Sequence, residues 1–251
     1  MNVSEGTDRR NWKITVVVPC LNEASTIGDV IDEVRPFADE LLVIDGRSTD
    51  GTCDIVRQKG AQLLVDSGNG KGSAIRLGLQ AASNPIVVFI DADGSHEAAD
   101  IPSLAAPIRS DEADIVIGSR MTGGSDELFS DFSEFIRLSG SMVINLAINY
   151  RWNIRLSDTQ NGYRAVVRDI AGSLGMVSNS TTIEQEMVMK ALAAGFRVMN
   201  VPSHEYRRKG GESKIIVSRV WAKYVLNVIF HVLKLDRKGK SGRQDRVKRV
   251  E

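Results

Sequence analysis

Two aspartates at the end of an apolar run could bind a metal ion. Residues 87–96 read "VVFIDADGSH", so Asp91 and Asp93 follow four apolar residues. On an extended strand, alternate side chains point the same way, and both carboxylates could face one point beyond the strand end. Mg²⁺ takes one or two carboxylates from a protein and completes its shell with water and phosphate. The spacing favours a divalent-cation site beside a diphosphate, although a polar turn has the same composition.

Two other acidic sites are compatible with part of this motif. An EF-hand loop is excluded, because its sixth position would be His96 and its twelfth Pro102, where glycine and glutamate are required. A phosphatase whose nucleophilic aspartate lies in an apolar DxDG motif would fit "VVFIDADG". That class usually begins with the motif, whereas 90 residues precede Asp91 here.

The elements around this motif predict an α/β fold. Runs rich in valine and isoleucine alternate with segments of helical spacing, which is typical of a mainly parallel sheet covered by helices on both faces. The predicted strands are 14–18, 41–44, 62–65, 86–90, 115–117 and 197–201. Polar residues that follow these strands would share one edge of the sheet, where such folds bind ligands. These residues are Asn22, Glu23, Asp45, Asp91, Asp93, Ser119 and Arg120.

Other segments carry more local predictions. Asn22 is predicted to cap the helix that contains Ile27. Residues 158–169, "DTQNGYRAVVRD", are predicted to form a loop and a short hairpin. Longer helices are predicted at 132–150, 183–194 and 218–233.

Composition limits the classes of partner and compartment. The chain carries 32 basic and 32 acidic residues, so its net charge gives no sign of a nucleic-acid partner. Two cysteines in 251 residues do not make a disulfide framework, which favours a reducing cytosol. The N-terminal residues lack a signal-peptide pattern, and no run of 18 uncharged apolar residues predicts a membrane span. Residues 234–251 hold eight basic and three acidic residues, a net of +5.

Eight segments in order carry a family resemblance. They are "VVVPCLNEASTI", "VIDGRSTDGT", "GKGSAIRLGL", "FIDADGSH", "GSR", "DTQNGYRA", "IEQEMVMKALAAGF" and "RRKGGESK", within residues 13–215. With them the chain resembles family 2 glycosyltransferases of the GT-A fold, in particular the dolichol-phosphate mannosyltransferase type. The resemblance divides the chain into a flexible N-terminus (1–12), a GT-A domain (13–217), an amphipathic helix (218–235) and a basic flexible tail (236–251).

The resemblance implies a donor site for a nucleotide-diphosphate sugar. Base and ribose would contact Pro19, Leu21, Glu23, Ile44 and Asp45. The family often reads "DDGS" where this chain has Asp45-Gly46-Arg47-Ser48, so a second acid is missing. The diphosphate, with Mg²⁺ or Mn²⁺, would contact Lys71, Asp91, Ala92, Asp93, Arg208 and Lys214. Ser95 would complete the metal ligands with Asp91 and Asp93, where relatives often have glutamine.

The resemblance also implies a catalytic and acceptor side. Asp93, Arg120 and Glu186 would be catalytic, and Arg120 and Arg137 would hold an acceptor phosphate. The loop with Arg208 and Lys214 would close over the donor. Simpler alternatives remain for three of these features: a solvated Lys71, an exposed basic tip at 207–214, and a salt-bridged Glu186.

The predicted activity is inverting transfer of a hexose, from a GDP-mannose or UDP-glucose type donor to a polyprenyl or dolichyl phosphate. The alternatives are a soluble enzyme that acts on a small-molecule or glycan hydroxyl, and a non-catalytic binding module. For a hydroxyl acceptor, Glu186 or Asp93 would take the proton. Helix 218–235 has a narrow polar stripe and a basic tail, which favours peripheral contact with the cytosolic face of a membrane; packing on the protein's own core or on a second subunit is the other interpretation.

Overall fold

A seven-stranded sheet forms the centre of the structure. The computed structural model describes residues 8–126 and 132–210, with side chains in the helix at Phe132–Trp152 described from residue 140. The strands are β1 (Ile14–Cys20), β2 (Glu40–Asp45), β3 (Gln62–Val65), β4 (Ile86–Phe89), β5 (Ile115–Ser119), β6 (Arg164–Val167) and β7 (Val198–Pro202). Their order is β3-β2-β1-β4-β6-β5-β7, and β6 runs antiparallel to both of its neighbours while the other pairs are parallel.

Helices cover both faces of this sheet. They are α1 (Ile27–Val34), α2 (Thr52–Gln58), α3 (Lys71–Ala81), α4 (Ile101–Arg109), α5 (Arg120–Gly123), α6 (Phe132–Trp152), α7 (Arg168–Ser173) and α8 (Ile183–Ala194). Short 3-10 turns lie at Arg9–Asn11, Arg35–Phe37 and Ala98–Asp100. The predicted α/β architecture is confirmed.

Alternate side chains of each strand enter two separate cores. In β1, Val16 and Val18 pack with α1 and α4, whereas Val17 packs on the opposite face with α3 and α8. All three are fully buried. A strand buried on both faces needs an uninterrupted apolar run, which explains why these strands show no polar alternation.

The order of the strands reverses beside β1. The chain proceeds outward from β1 through β2 to β3 and then returns to the other side of β1 as β4. The carboxyl ends of β1 and β4 therefore flank a crevice, the usual ligand position in an open α/β sheet.

Two local predictions were wrong. Helix α1 begins at Ile27 with Thr26 before it, not at Asn22. Asn22 has a positive φ of 57°, and its side-chain oxygen accepts the N–H of Thr49 at 2.8 Å, so it joins two loops instead of capping a helix. Residues 158–169 form no local hairpin, because β6 inserts between β4 and β5 and α7 follows it directly.

Several predicted features lie outside the described residues. They are the first seven residues, Lys214, the amphipathic helix 218–235, the basic tail 236–251 and the side chain of Arg137. The domain boundaries stay predictions. Within the described residues, no helix combines the length and apolar character that crossing a bilayer requires.

Asp114 connects the start of β5 to two distant segments. Its carboxylate accepts the backbone N–H of Arg197 at 2.9 Å, and the guanidinium groups of Arg197 and Arg9 lie 2.9 and 3.2 Å away. Burial alone would raise the pKa of Asp114, but the bonds from Arg197 and then Arg9 outweigh burial and hold it below its usual value.

Replacing this carboxylate should weaken the fold in a pH-dependent way. We expect Asp114→Asn to lower the free energy of unfolding by about 1–3 kcal/mol near neutral pH, because the backbone N–H of Arg197 and two guanidinium groups lose their charged acceptor. A lowered folded-state pKa gives stability that is complete above the unfolded pKa and is lost as the pH falls through the folded one. Urea unfolding should therefore show the difference from wild type shrinking below about pH 4.

Asp54→Asn is the matched control for that measurement. Asp54 pairs with Arg57 at 2.8 Å on the surface, with its side chain 75% exposed. Its loss should change stability by less than about 0.5 kcal/mol. Equal losses for the two variants, or a loss at Asp114 that does not vary with pH, would contradict the role given to Asp114.

Candidate active site

The acidic loop after β4 differs from the strand geometry used to predict it. Strand β4 ends at Phe89, and the chain turns at 92–94, where Gly94 has a positive φ of 71°. Asp91 and Asp93 therefore lie beyond the strand and bind different partners. Their side chains are 29% and 8% exposed, so Asp91 lies nearer the mouth of the crevice.

Asp93 is held from two sides. Its Oδ1 accepts the Ser95 hydroxyl at 2.6 Å and the Ser95 backbone N–H at 3.1 Å. Its Oδ2 lies 3.3 Å from Nη1 of Arg208, and its backbone carbonyl accepts the N–H of Lys209 at 3.1 Å. Ser95 thus orients Asp93, and the beginning of the basic loop lies against the acidic loop.

Lys71, the first residue of α3, lies between two carboxylates. Its Nζ is 2.6 Å from Oδ1 of Asp91 and 2.8 Å from Oε1 of Glu184, on α8. Burial would raise the pKa of Asp91, but the Lys71 ammonium outweighs burial and holds it well below its usual value. Burial would lower the pKa of Lys71, but Asp91 and then Glu184 raise it. Both partners are therefore charged at neutral pH.

A glycine makes room for this ion pair. A Cβ added to Gly162 would lie 2.7 Å from Nζ of Lys71 and 2.9 Å from Oδ2 of Asp91, closer than side-chain atoms normally approach. Gly162 belongs to the loop 158–163, which packs over the carboxyl end of β5 through a bond from the Asn161 side chain to the Gly118 carbonyl, at 2.8 Å.

Arg164 holds that loop in place by a hydrogen bond to its backbone. The residue is 1% exposed. Its guanidinium donates to the backbone carbonyls of Asn161 and, at 2.8 Å, of Glu184. Burial lowers the pKa of Arg164, and the nearby carboxylates oppose that shift. One buried cation therefore joins the loop 158–163 to the helix that carries Glu184.

Arg120 is the cation of a second buried cluster. Its Nε lies 2.7 Å from Asp158 and its Nη1 lies 3.4 Å from Glu205. Burial would lower the pKa of Arg120, but Asp158 and then Glu205 raise it. Arg120 thus joins the end of β5 to two loops, and its charge is already balanced by carboxylates. The role predicted for Arg120 from the sequence, holding an acceptor phosphate, stays a prediction.

The predicted site for base and ribose consists of the loops that follow β1 and β2, which are hydrogen-bonded to each other. Asp45 is fully buried, and its Oδ2 accepts the N–H groups of Arg47 and Ser48, both at 2.9 Å. Burial would raise the pKa of Asp45, but the bonds from Ser48 help to hold it below its usual value. The N–H of Glu23 donates to Thr52 Oγ1 at 2.9 Å. Asp45 thus holds the turn in place, while Leu21 is exposed beside it.

Three other residues that were predicted to contact the nucleotide-sugar donor differ in how exposed they are. Ile44 is fully buried in the core, so its side chain is not exposed to a ligand. Ala92 is also buried, and Pro19 is partly exposed at the end of β1. A Cβ at Gly46, where relatives often carry an acid, would lie 3.5 Å from the Leu21 side chain, which places that missing acid beside Leu21.

Glu186 lies apart from the acidic pair. Its carboxylate accepts the N–H groups of Val177 and Ser178, at 3.0 and 2.8 Å, and pairs with Lys190 at 2.7 Å. Burial would raise its pKa, but Lys190 and then those N–H groups hold it below its usual value. Glu184, two residues earlier, is the acid of α8 that reaches the site.

Sequence reasoning missed five site residues: Asp158, Gly162, Arg164, Glu184 and Glu205. The segments "DTQNGYRA" and "IEQEM" contain the first four, but nothing in the sequence indicated which of their members face the crevice. His96, given no role from the sequence, is buried and stacks on Tyr163 with ring centres 4.9 Å apart.

The oxygen atoms of the acidic loop fit a divalent cation in part. Asp91 and Asp93 offer hard carboxylate ligands, and a Cβ at residue 162 would fill the space beside Asp91. Across residues 8–126 and 132–210, no three His, Cys, Asp or Glu side chains converge to hold a metal by themselves. A metal here would therefore need oxygens from water or from a bound phosphate.

Comparison with known proteins decides the family. Residues 15–175 match the model of glycosyl transferase family 2. The chain belongs to glycosyl transferase family 2. The predicted family is thereby confirmed.

Curated relatives of this family 2 glycosyltransferase support the assignment. It is 34% identical over 202 residues to an uncharacterised glycosyltransferase of Mycobacterium tuberculosis, an alignment that covers 80% of this chain and 89% of that protein. It is 28% identical over 219 residues to an undecaprenyl-phosphate mannosyltransferase of Micrococcus luteus, covering 81% and 87%.

A solved structure supports the fold. Glucosyl-3-phosphoglycerate synthase of Mycobacterium tuberculosis, crystallised with Mg²⁺ and UDP, superposes with a TM-score of 0.70 at 21% identity. The match covers 91% of this chain and 80% of that one. At this identity the likeness concerns the GT-A fold, which confirms the predicted fold class.

A methyl group at position 162 should separate Lys71 from Asp91. We expect Gly162→Ala to change folding stability by less than about 1 kcal/mol, because the crowded Nζ lies at the end of a flexible side chain. Because the methyl group moves both the Lys71 ammonium and the Asp91 carboxylate from their observed positions, kcat/KM for glycosyl transfer should fall by about 100-fold. Steady-state kinetics and thermal unfolding together measure both effects.

Gly172→Ala is the control, since a Cβ there has open space around it. It should leave kcat/KM unchanged. Normal kinetics in Gly162→Ala would show that the ion pair does not need its observed geometry.

Proposed function

We propose that this family 2 glycosyltransferase transfers a hexose from a nucleoside-diphosphate sugar to a polyprenyl phosphate, with inversion at the anomeric carbon. The observation that carries the proposal is the placement of Asp91, Asp93, Lys71 and Arg208 at the crevice between β1 and β4. Carboxylates and cations close together are the groups that a metal-bound diphosphate requires. The relative from Micrococcus luteus, named for an undecaprenyl-phosphate acceptor, supports the acceptor class.

On the donor side, the loop that follows β1 would receive the base and ribose, next to the turn held by Asp45. Asp91 and Asp93 would hold a divalent cation, which when bound supplies positive charge to the leaving diphosphate. Arg208, 30% exposed and 3.3 Å from Asp93, can contact a phosphate oxygen next to that carboxylate. These cations would stabilise the charge that develops on the leaving group.

The state of Glu186 supports a phosphate acceptor. A hydroxyl acceptor needs a base to take its proton, whereas a phosphate monoester is already ionised near neutral pH. Glu186 already accepts two backbone N–H groups and an ion pair from Lys190, and Asp93 accepts bonds from Ser95 and faces Arg208. Glu186 and Asp93 could each take a proton only by losing these bonds. This favours a phosphate acceptor, which needs no base.

A polyprenyl phosphate would bring the enzyme to the cytosolic face of a membrane. Residues 218–235 are the predicted contact, and they lie outside the described residues. The alternative is a soluble enzyme that acts on a small-molecule or glycan hydroxyl. Acceptor assays with and without lipid distinguish the two.

Donor and metal are tested first, by thermal unfolding with Mn²⁺ and either UDP-glucose or GDP-mannose. We expect one donor to stabilise the wild type only when Mn²⁺ is present, and Asp93→Ala to abolish that shift. Asp169→Ala is the control, because Asp169 is 71% exposed and pairs with Arg168 away from the crevice. A donor shift that persists in Asp93→Ala would refute the assigned metal site.

Acceptor class is tested with the donor identified in this way. We expect radiolabelled sugar to pass to a polyprenyl phosphate in detergent, and the rate to fall by about 100-fold or more in Asp93→Ala. Transfer to a water-soluble hydroxyl compound in the absence of lipid would instead establish the alternative function.

A further inference from the structure

Lys71 neutralises the acid that a metal would also need. Its Nζ lies 2.6 Å from Oδ1 of Asp91, within the range of a charge-assisted hydrogen bond. Among the described residues, Lys71 is the cation ion-paired with Asp91. A divalent cation that binds Asp91 would therefore approach an ammonium group, and like charges at such distances repel. Asp91 cannot serve both cations fully at once.

Glu184 gives Lys71 a second, more deeply buried partner. The Glu184 side chain is 4% exposed, lies 2.8 Å from Nζ, and within residues 8–126 and 132–210 has no other ion-pair partner. An uncompensated buried carboxylate is strongly destabilising, so losing Lys71 would cost more at Glu184 than at Asp91, whose side chain is 29% exposed and can be reached by water. The ammonium can therefore exchange one partner while it keeps the other.

The number of metal ligands at the acidic loop also makes metal binding depend on a bound phosphate. No three metal-binding side chains converge among the described residues, so phosphate oxygens would have to complete the shell of a bound ion. The same phosphate offers Lys71 a replacement for Asp91. Lys71 is 24% exposed and follows Gly70, which places its side chain at the start of α3 and open to a ligand.

We propose that Lys71 is an exchangeable counter-cation that makes metal binding depend on donor binding. Without donor, Lys71 occupies Asp91. When a nucleoside diphosphate binds, Lys71 remains paired with Glu184 and exchanges Asp91 for a phosphate oxygen, which releases Asp91 to the metal. This inference rests on the proposed use of a nucleotide donor, and it adds an order: the metal binds with the donor, not before it.

The test measures Mn²⁺ binding by the loss of the free-ion electron paramagnetic resonance signal, without nucleotide and with saturating UDP or GDP. Because these nucleotides also bind Mn²⁺ in solution, each loss is taken relative to a protein-free sample with the same nucleotide concentration. For the wild type, we expect the nucleotide to strengthen Mn²⁺ binding by more than about tenfold. Lys71→Met should bind Mn²⁺ alone at least about tenfold more tightly than the wild type, because Asp91 is no longer neutralised. The same variant should bind the nucleotide more weakly.

Lys190→Met is the matched control. Lys190 pairs with Glu186 at 2.7 Å and is 23% exposed, close to the 2.8 Å and 24% of the Lys71–Glu184 pair, and Glu186 lies apart from Asp91. It should leave Mn²⁺ binding as in the wild type. Thermal unfolding shows whether each variant folds.

Glu184→Gln provides a second variant that keeps Lys71. With its anchor weakened, Lys71 should stay at Asp91, so that Mn²⁺ binding in the presence of nucleotide weakens by about tenfold. If Lys71→Met does not fold, Glu184→Gln alone tests whether Lys71 exchanges Asp91 for a phosphate oxygen.

Two different failures can be told apart. If the wild type binds Mn²⁺ with nucleotide but equally well without it, or if neither Lys71→Met nor Glu184→Gln changes Mn²⁺ binding, the exchange is refuted and the proposed function stands. If the wild type binds no Mn²⁺ with either nucleotide, the metal-dependent donor site itself is refuted, and the exchange with it.

Discussion

The main constraint on this structure is that a sheet covered on both faces leaves little room for charge along its strands. Val16, Val17 and Val18 are all fully buried, although they point to opposite faces. Charged side chains are therefore displaced to the ends of the strands, where solvent is near and backbone groups are free to bond. The reversal of strand order beside β1 then concentrates them in one crevice.

Charges gathered in this way must be balanced locally, and the site is organised around that requirement. Lys71 lies between Asp91 and Glu184, Arg208 faces Asp93, and Arg120 lies between Asp158 and Glu205. Each acid of these three clusters has a cation as its counterpart. Such an arrangement holds these side chains in place, but every incoming ion must compete with a resident one.

Much of this could be read from the sequence, and the exceptions have physical causes. The valine and isoleucine runs gave the parallel strands, because a doubly buried strand has few alternatives to β-branched residues. Strand β6 was missed as a sheet member, since four residues carry too little pattern to reveal that they pair between β4 and β5. Asp91 and Asp93 were identified by their spacing, but their separate partners depend on a turn after the strand.

Glu186 shows a different limit. In a helix, residues two apart point to nearly opposite sides, so the choice between Glu184 and Glu186 depends on which side of α8 meets the crevice. That contact is set by α3, whose position follows from the whole sheet. The motif located this turn of helix, and the packing shows that Glu184 is the acid that contacts Lys71.

The burial of Arg164 has a consequence for how the molecule folds. Its strand, β6, pairs Ala165 with Val88, 77 positions earlier in the chain, and Arg164 in turn bonds to carbonyls of both the loop and α8. Contacts so distant in sequence form slowly, because a long loop must close before they contribute. The crevice should therefore become ordered after the more local pairings β1–β2 and β2–β3, and a chain with only those pairings would still lack it. Catalytic competence would then mark the completion of folding more faithfully than the formation of secondary structure does.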